Sequence, residues 1–584
     1  MGSATSPAAP RRRPGHRRLP TRTIVAATIA ALVGGLLTSA PSSADDAASA
    51  RAAASSSDRR TADERQVDRV ATPRLSWRRC GAGLRAGAPR GRLQCAVVRV
   101  PLDYDRPDGA TTPLRIARLK ASGPRRVGSL FVNPGGPGGP SASFVTTAAS
   151  LLGPRVGAGF DVVGVDPRGT GRSGRVTCRT TARPSPLGFP LGAAQVKAWI
   201  KTDDALRRSC ASRGSRLLGH ASTADVARDM DLVRRALGES QLTYYGISYG
   251  SYLGATYAAL FPSRVRALVV DGVLDPVAWS TGNRSRAAST PQTTRLRSGY
   301  GAYEALTSAL TECDRVGPRR CAIAPNALGA WKRVVAAARA GRLAIEDVEL
   351  TYQDIVGLAL GTLYDRRMIP FLFELIGLID EVIVSTAARG RTGGAGGTER
   401  ARKVRVPATE AYRRVVASRD ALRERGLYTA PQAPRPARRL DVQFPAVLCS
   451  DGRNPRSPAR WEQASKIADR QSPWFGRVWT WASSPCARQG IGSGDDSFRG
   501  PWAGTRTSYP LLVVGNTHDP ATPISGARRL NTRFDDSVLV TYDGWGHGAL
   551  GGGRCITSVM ADYLVDRTLP PDGTVCRQPR ELFR

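Results

Sequence analysis

Short apolar runs recur along this chain with polar or helix-periodic stretches between them. GSLFV at 128–132, FDVVGV at 160–165, LTYY at 242–245, RALVVD at 266–271, PLLVVG at 510–515 and SVLVTYDG at 537–544 are too short for helices. They carry β-branched or aromatic residues, so they read as strands. Before them, LQCAVVRVPLDY (93–104) and PLRIARLKAS (113–122) read as a hairpin pair leading into the parallel strands. Helix-like stretches follow several runs. SYLGATYAALF (251–261) is one, and ALGAWKRVVAAARAG (327–341), TYQDIVGLALGTLY (351–364) and PFLFELIGLIDEVIV (370–384) are amphipathic. Strands alternating with helices predict an α/β fold with a mostly parallel sheet flanked by helices.

The most informative junction is LTYYGISYGSYLG. A strand runs into Gly246-Ile247-Ser248-Tyr249-Gly250, and a helix begins immediately after it. This is the G-x-S-x-G nucleophile elbow in its required strand–turn–helix context. Its tight turn strains the serine backbone and leaves no room for β-carbons at Gly246 and Gly250.

A serine needs a base. The chain has four histidines: His16, His220, His518 and His547. The elbow belongs to the α/β-hydrolase order, serine then acid then histidine, which leaves His518 and His547. His547 ends a short β-type run in a Gly-rich loop, the setting of a catalytic imidazole. Asp519, presented by the loop after PLLVVG, is the expected acid, with His518 a bystander. One helix (TPISGARRLNTRF) and one strand fit between Asp519 and His547. The rival acid is Asp271, which also ends a strand and otherwise reads as a polar strand-end residue.

After the strand at 128–132 comes Asn133-Pro134-Gly135-Gly136-Pro137-Gly138-Gly139-Pro140. Without a following Lys-Ser/Thr or GxGxxG spacing, it is neither a P-loop nor a dinucleotide loop. Proline cannot donate, so the amide of Gly136 is the expected oxyanion donor, together with that of Tyr249 after the nucleophile. In the loop 166–174, Asp166 and Arg168 are expected to pair and to hold the loops around the site.

Together NPGGPGGP, DPRGTGRSG, GISYGSYLG, RALVVDGVLDP, GNTHDPATP and GWGHG resemble the secreted tripeptidyl aminopeptidases of actinomycetes, α/β-hydrolase-fold serine peptidases related to proline iminopeptidase. The resemblance runs from about residue 77 to about residue 576. It implies a triad of Ser248, Asp519 and His547; no cofactor is expected, and with no CxxC and few histidines no metal site either. Asn516-Thr517-His518 departs from the Gly/Asp-rich run expected before the acid and adds an imidazole near the site.

The segment 1–44 has a basic start, an apolar run at 23–38 and small residues before Asp45, so it reads as a secretory signal peptide. Residues 45–73 read as a disordered linker or propeptide. The hydrolase core is expected at 74–276 and 508–584. The 271 residues between Ser248 and Asp519 (519 − 248) exceed what the fold needs, so 277–507 is expected to be a mainly helical cap. GRTGGAGGTERARK (390–403) would be a flexible loop within it.

Ten cysteines without CxxC spacing fit disulfides in an oxidising compartment. Nearest-neighbour pairing predicts 80–95, 178–210, 313–321, 449–486 and 555–576. The net charge of +37 comes from arginine spread over the whole chain. With no nucleic-acid motif, it reads as a solvated basic surface with at most loose attraction to an anionic cell wall. A monomer without stable membrane insertion is expected once the signal is removed.

The expected activity is exopeptidase cleavage of short peptides from free N-termini. A carboxylesterase with the same triad is the alternative, and a non-catalytic cell-wall binding protein is the third reading. An aminopeptidase must hold an ammonium group. Glu346, Asp347 and Glu349, or Glu374, Asp380 and Glu381, are the candidate carboxylates.

Overall fold

The computed structural model describes residues 60–85, 88–89, 91–181, 188–282, 284–392, 404–424, 438–488, 491–492 and 497–583. The expected signal peptide lies outside them, as do residues 393–403 of the expected loop 390–403, whose first three residues end the helix Ile369–Thr392 instead.

Ten strands form one sheet. They are β1 (Arg78–Arg79), β2 (Leu93–Pro101), β3 (Thr111–Leu119), β4 (Gly128–Asn133), β5 (Phe160–Val165), β6 (Leu242–Ile247), β7 (Val265–Asp271), β8 (Leu512–His518), β9 (Val538–Trp545) and β10 (Val575–Arg577). Their spatial order is β1-β2-β3-β5-β4-β6-β7-β8-β9-β10. The first four pair antiparallel and the rest run parallel.

The near-continuous apolarity of the central strands follows from burial on both faces. Side chains alternate across a strand. Leu268, Val270 and Val513 join one apolar cluster with the helices Thr223–Ala236 and Tyr249–Leu260. Ala267, Val269, Leu512 and Val514 join another with the helices Ser141–Leu151 and Arg554–Asp566.

A third apolar cluster gathers the helices Ser298–Val316, Ala327–Arg339, Tyr352–Leu363 and Ile369–Thr392 around Trp331, Trp461 and Trp481. All of these lie in the long stretch between nucleophile and acid. Phe189, Val196, Leu582 and Phe583, from outside that stretch, complete it. Val447, Leu448 and Trp502, from within it, pack instead against the sheet.

The disordered reading of 45–73 is corrected for its last part. Residues Ala62–Asp68 form a helix, capped reciprocally by Thr61 and Glu64. Val67 and Val70 are buried, Arg264 holds Asp68 at 2.7 Å, and Arg235 donates to the Val67 and Val70 carbonyls. Seven residues are too few for a periodic signal, but the T-x-x-E capping box was there to read.

Five disulfides join Cys80–Cys95, Cys178–Cys210, Cys313–Cys321, Cys449–Cys486 and Cys555–Cys576, the expected pairs. They fit folding in an oxidising, extracellular setting. No helix among the described residues is long and apolar enough to cross a membrane.

Candidate active site

β6 ends at Ile247, and the helix Tyr249–Leu260 starts two residues on. Ser248 between them adopts φ 62°, ψ −126°, a conformation that costs a non-glycine residue of order 1–3 kcal/mol. Its surroundings hold it there: the Ser248 N–H donates to the Asp271 carbonyl at 3.0 Å, and Ser251 N–H donates to the Ser248 carbonyl at 2.8 Å. A β-carbon on Gly250 would stand 2.8 Å from the Asn133 carbonyl oxygen, so the elbow packs directly on the end of β4.

The glycine-rich loop after β4 comes equally close. A β-carbon on Gly135 would lie 2.7 Å from Cβ of Ser248 and 3.0 Å from the Tyr249 nitrogen. The Gly135 N–H is spent on Oδ1 of Asn133 at 2.9 Å. Neither Gly136 nor Tyr249 has a hydrogen-bonded backbone N–H among the described residues.

His547 and Asp519 meet. Nδ1 of His547 lies 2.9 and 3.1 Å from the two Asp519 oxygens, and Thr522 Oγ1 lies 3.3 Å from the same nitrogen. Asp519 also accepts from the N–H groups of Ala521, Thr522 and Gly548, each at 2.8 Å. Burial alone would push this carboxyl up, but the His547 imidazole and those N–H groups hold it below its ordinary value. Nε2 of His547 is buried and has no hydrogen-bond partner among the described residues. Gly548 packs against Ile247, the residue before the nucleophile. The loops bearing Ser248, Asp519 and His547 are thus brought together at the carboxyl ends of the strands.

Asp271 is near but differently engaged. Its oxygens accept from Tyr245 Oη at 2.7 Å and from the Ala549 N–H at 2.9 and 3.0 Å, and among the described residues no hydrogen bond joins it to His547. Burial raises it to about 6. His518, the expected bystander, stacks on Trp545 with ring centroids 4.5 Å apart, and its Nδ1 lies 2.9 Å from Glu304 Oε1.

The expected Asp166–Arg168 pair does not form. Arg168 is fully buried and binds Asp229 at 2.7 and 2.8 Å, while Asp166 accepts from the Ala142 N–H at the start of the helix Ser141–Leu151. Breaking a buried ion pair is costly, and the carboxylate that meets the Arg168 guanidinium is Asp229, on the helix Thr223–Ala236.

A cleft of about 1100 Å³ opens over the site. Gly135, Gly136, Ile247, Tyr542, Trp545, His547 and Gly548 line it on the sheet side. Tyr364, Asp365, Arg366, Arg367, Met368 and Arg414 line it on the helical side. Tyr364, for which no sequence motif exists, accepts the His547 N–H on its carbonyl at 3.0 Å and packs its ring 4.8 Å from the imidazole.

The carboxylates expected to bind an ammonium group are elsewhere. Glu346, Asp347 and Glu349 are exposed on a hairpin, with Asp347 paired to Arg405. Asp380 is committed to Arg333, and Glu374 and Glu381 are exposed. None of the six lines the cleft. Consecutive acids in a tight hairpin turn point into solvent, which is why the cluster misled. The carboxylate that does line it is Asp365.

Two family models match the chain: one described as TAP-like protein over residues 472–576, and one described as alpha/beta hydrolase fold over residues 128–297. A tripeptidyl aminopeptidase of Streptomyces coelicolor is 29% identical over 507 residues, 85% of this chain and 85% of its own. The serine protease Hip1 of Mycobacterium tuberculosis is 29% identical over 538 residues, 87% of this chain and 92% of its own. A carboxylesterase B of the same organism is 29% identical over 535 residues, covering 87% and 91%. The elbow, the ten-stranded sheet and these matches lead to one conclusion: the chain is a serine hydrolase of the α/β-hydrolase fold, similar to the tripeptidyl aminopeptidases.

Proposed function

We propose that this protein is an extracellular serine exopeptidase that releases short peptides from free N-termini. The observation that carries the chemistry is the His547–Asp519 pair, with Nε2 of His547 unpartnered, among the described residues, beside the elbow of Ser248. In this reading Ser248 attacks the substrate carbonyl and His547 takes its proton on Nε2. The amides of Gly136 and Tyr249 hold the oxyanion. His547 then protonates the leaving amine, and water repeats the cycle on the acyl-enzyme. Asp519 fixes the tautomer and stabilises the imidazolium.

The exopeptidase choice draws its support from relatives named tripeptidyl aminopeptidase and serine protease. In the same reading residues 277–507 act as the cap over the cleft. The enzyme works as a monomer, drawn loosely to an anionic cell wall by its charge of +37. A carboxylesterase is the second reading. It is favoured by the relative of that name and by Phe144, Leu151, Met368 and Leu550 along the cleft.

Ser248→Ala should abolish turnover with the fold intact, since loss of a triad nucleophile costs about a millionfold. Activity within tenfold of wild type would refute the assignment. The two enzyme readings separate on kcat/KM for one tripeptide chromogenic substrate with free and acetylated N-terminus. A fall of about a hundredfold on acetylation is expected for an ammonium-reading site. Equal values would promote the esterase.

A further inference from the structure

Arg366 sits in the turn Arg366–Met368, which joins the helices Tyr352–Leu363 and Ile369–Thr392. The chain just before this turn is docked on the histidine loop through the Tyr364 carbonyl and ring. Arg366 therefore reaches the cleft two residues from the contact that positions His547, on a support fixed at both ends by helices.

Three arginines line this cleft, against the single carboxylate of Asp365. Two of the three are already engaged. Arg367 makes a forked pair with Asp365, with contacts of 2.6 to 3.1 Å. Arg414 binds Glu410 at 2.8 Å and lies over the Phe371 ring. Arg366 differs: it is partly buried, its Nη1 donates to Tyr542 Oη at 3.1 Å, and it forms no ion pair among the described residues. The Tyr542 hydroxyl is itself anchored on the Gly552 carbonyl at 3.0 Å.

A guanidinium offers five N–H donors in a rigid fork matched to a carboxylate. One is used here to aim the group, and the others have no protein acceptor among the described residues. Other buried or partly buried arginines of this molecule have protein acceptors: Arg168 and Arg234 are paired with Asp229 and Asp231, and Arg266 and Arg295 donate to backbone carbonyls. Arg366 feels the charge of Asp365, but that carboxylate is forked onto Arg367, so a partly buried guanidinium on the wall of the reaction cleft keeps donors for a carboxylate brought by a substrate.

We propose that Arg366 is a specificity-determining residue that binds a carboxylate of the peptide substrate, with Arg367 and Arg414 adding to the positive field of that wall. The inference rests on the reading of this cleft as the place where a peptide is held. It adds a preference for which peptides: those carrying a carboxylate near the scissile bond. That carboxylate belongs either to an acidic side chain or to the free C-terminus of a short substrate. The same placement explains why the cleft has so little carboxylate of its own.

The test uses the intact enzyme and matched peptides with free N-termini. One set exchanges Glu for Gln at each position flanking the scissile bond. The other exchanges a C-terminal acid for its amide. Active enzyme is counted by fluorophosphonate titration, so misfolded protein does not enter the ratios. Wild type should prefer one acid over its amide by about tenfold or more in kcat/KM, carried mainly by KM, the scale of a charge-assisted hydrogen bond. The preference should shrink as salt is raised.

Arg366→Met should bring the acid-to-amide ratio to about one, and Arg366→Lys should keep part of it. Discrimination in the Glu/Gln set identifies a side-chain carboxylate, and in the acid/amide set the C-terminus. Equal turnover within every pair by wild type overturns the inference while leaving the exopeptidase reading standing. So does an Arg366→Met enzyme that keeps the wild-type ratio. Failure to cleave any of these peptides removes the exopeptidase reading and this inference with it.

Discussion

Two adjacent strands of the sheet deliver buried aspartates to the same loop, and the two carboxylates are shifted in opposite directions. Asp271 closes β7, and Asp519 follows β8. Both are inaccessible to solvent. Both hold the loop of His547, Asp519 through the Gly548 N–H and Asp271 through the Ala549 N–H. Yet Asp519 is held below its ordinary value, and Asp271 is raised to about 6. Burial pushes both upward. Asp519 alone hydrogen-bonds to the imidazole among the described residues, and it collects three backbone N–H groups besides. Asp271 has a hydroxyl, one N–H and the repulsion of Asp519. Position at a strand end makes a carboxylate available; the partner it meets decides whether it is an anion fit to hold an imidazolium.

The sharpest way to break this comparison is to remove the charge from the carboxylate that meets the imidazole. Asp519→Asn keeps the shape but favours the wrong imidazole tautomer and removes the counter-charge. Activity should fall by about ten-thousandfold. A loss under tenfold, measured as kcat on an activated ester and on a peptide, would mean that Asp519 does not do this work.

Asp271→Asn should act on stability rather than on the chemical step. The amide oxygen can still accept from Tyr245 or Ala549, but one of these buried donors is left facing an NH₂ group. That mismatch costs about 1–3 kcal/mol. The unfolding free energy from urea titration should drop by that amount, with kcat within about tenfold of wild type. An activity loss rivalling that of Asp519→Asn would move the acid to β7 and undo the comparison.

The contrast also marks how far the sequence could be read. The elbow at Ser248 and the meeting of Asp519 with His547 were legible because such features impose local form: a glycine-flanked turn between strand and helix, and loops after apolar runs in a fixed chain order. Asp271 was visible as a rival for the same reason, and order told it from Asp519. What order cannot give is an interaction across the chain. Tyr364 reaches His547 from 183 residues away (547 − 364) through its backbone carbonyl, which every residue has. Arg168 finds Asp229 rather than its neighbour Asp166. The acidic run Glu346-Asp347-Val348-Glu349 looked like an ammonium site because composition was all that could be read, whereas the hairpin turns it into solvent. Arg366 was one arginine among many until the fold set it beside Tyr542 without an ion pair among the described residues.

The finest test of the comparison is the sign of a pH dependence. A carboxyl raised from 3.8 to about 6 binds a proton in the folded chain while the unfolded chain has lost it. Between those two values the native state holds the extra proton, so the Asp271 contribution to stability falls as pH rises and is fully present only at the acid end. Asp519 runs the other way. Its folded value is depressed, so its contribution is present above the unfolded value and is lost as pH falls through the folded one, a window below 3.8. The two windows do not overlap, and Asp271 can be read alone. The stability gap between wild type and Asp271→Asn should therefore be wider at about pH 4.5 than at about pH 7.5, by about 1–3 kcal/mol. Urea titrations of both proteins at the two pH values measure it. A gap that widens toward neutral pH would mean that Asp271 is a stabilised anion like Asp519, and the difference between the two strand ends would vanish.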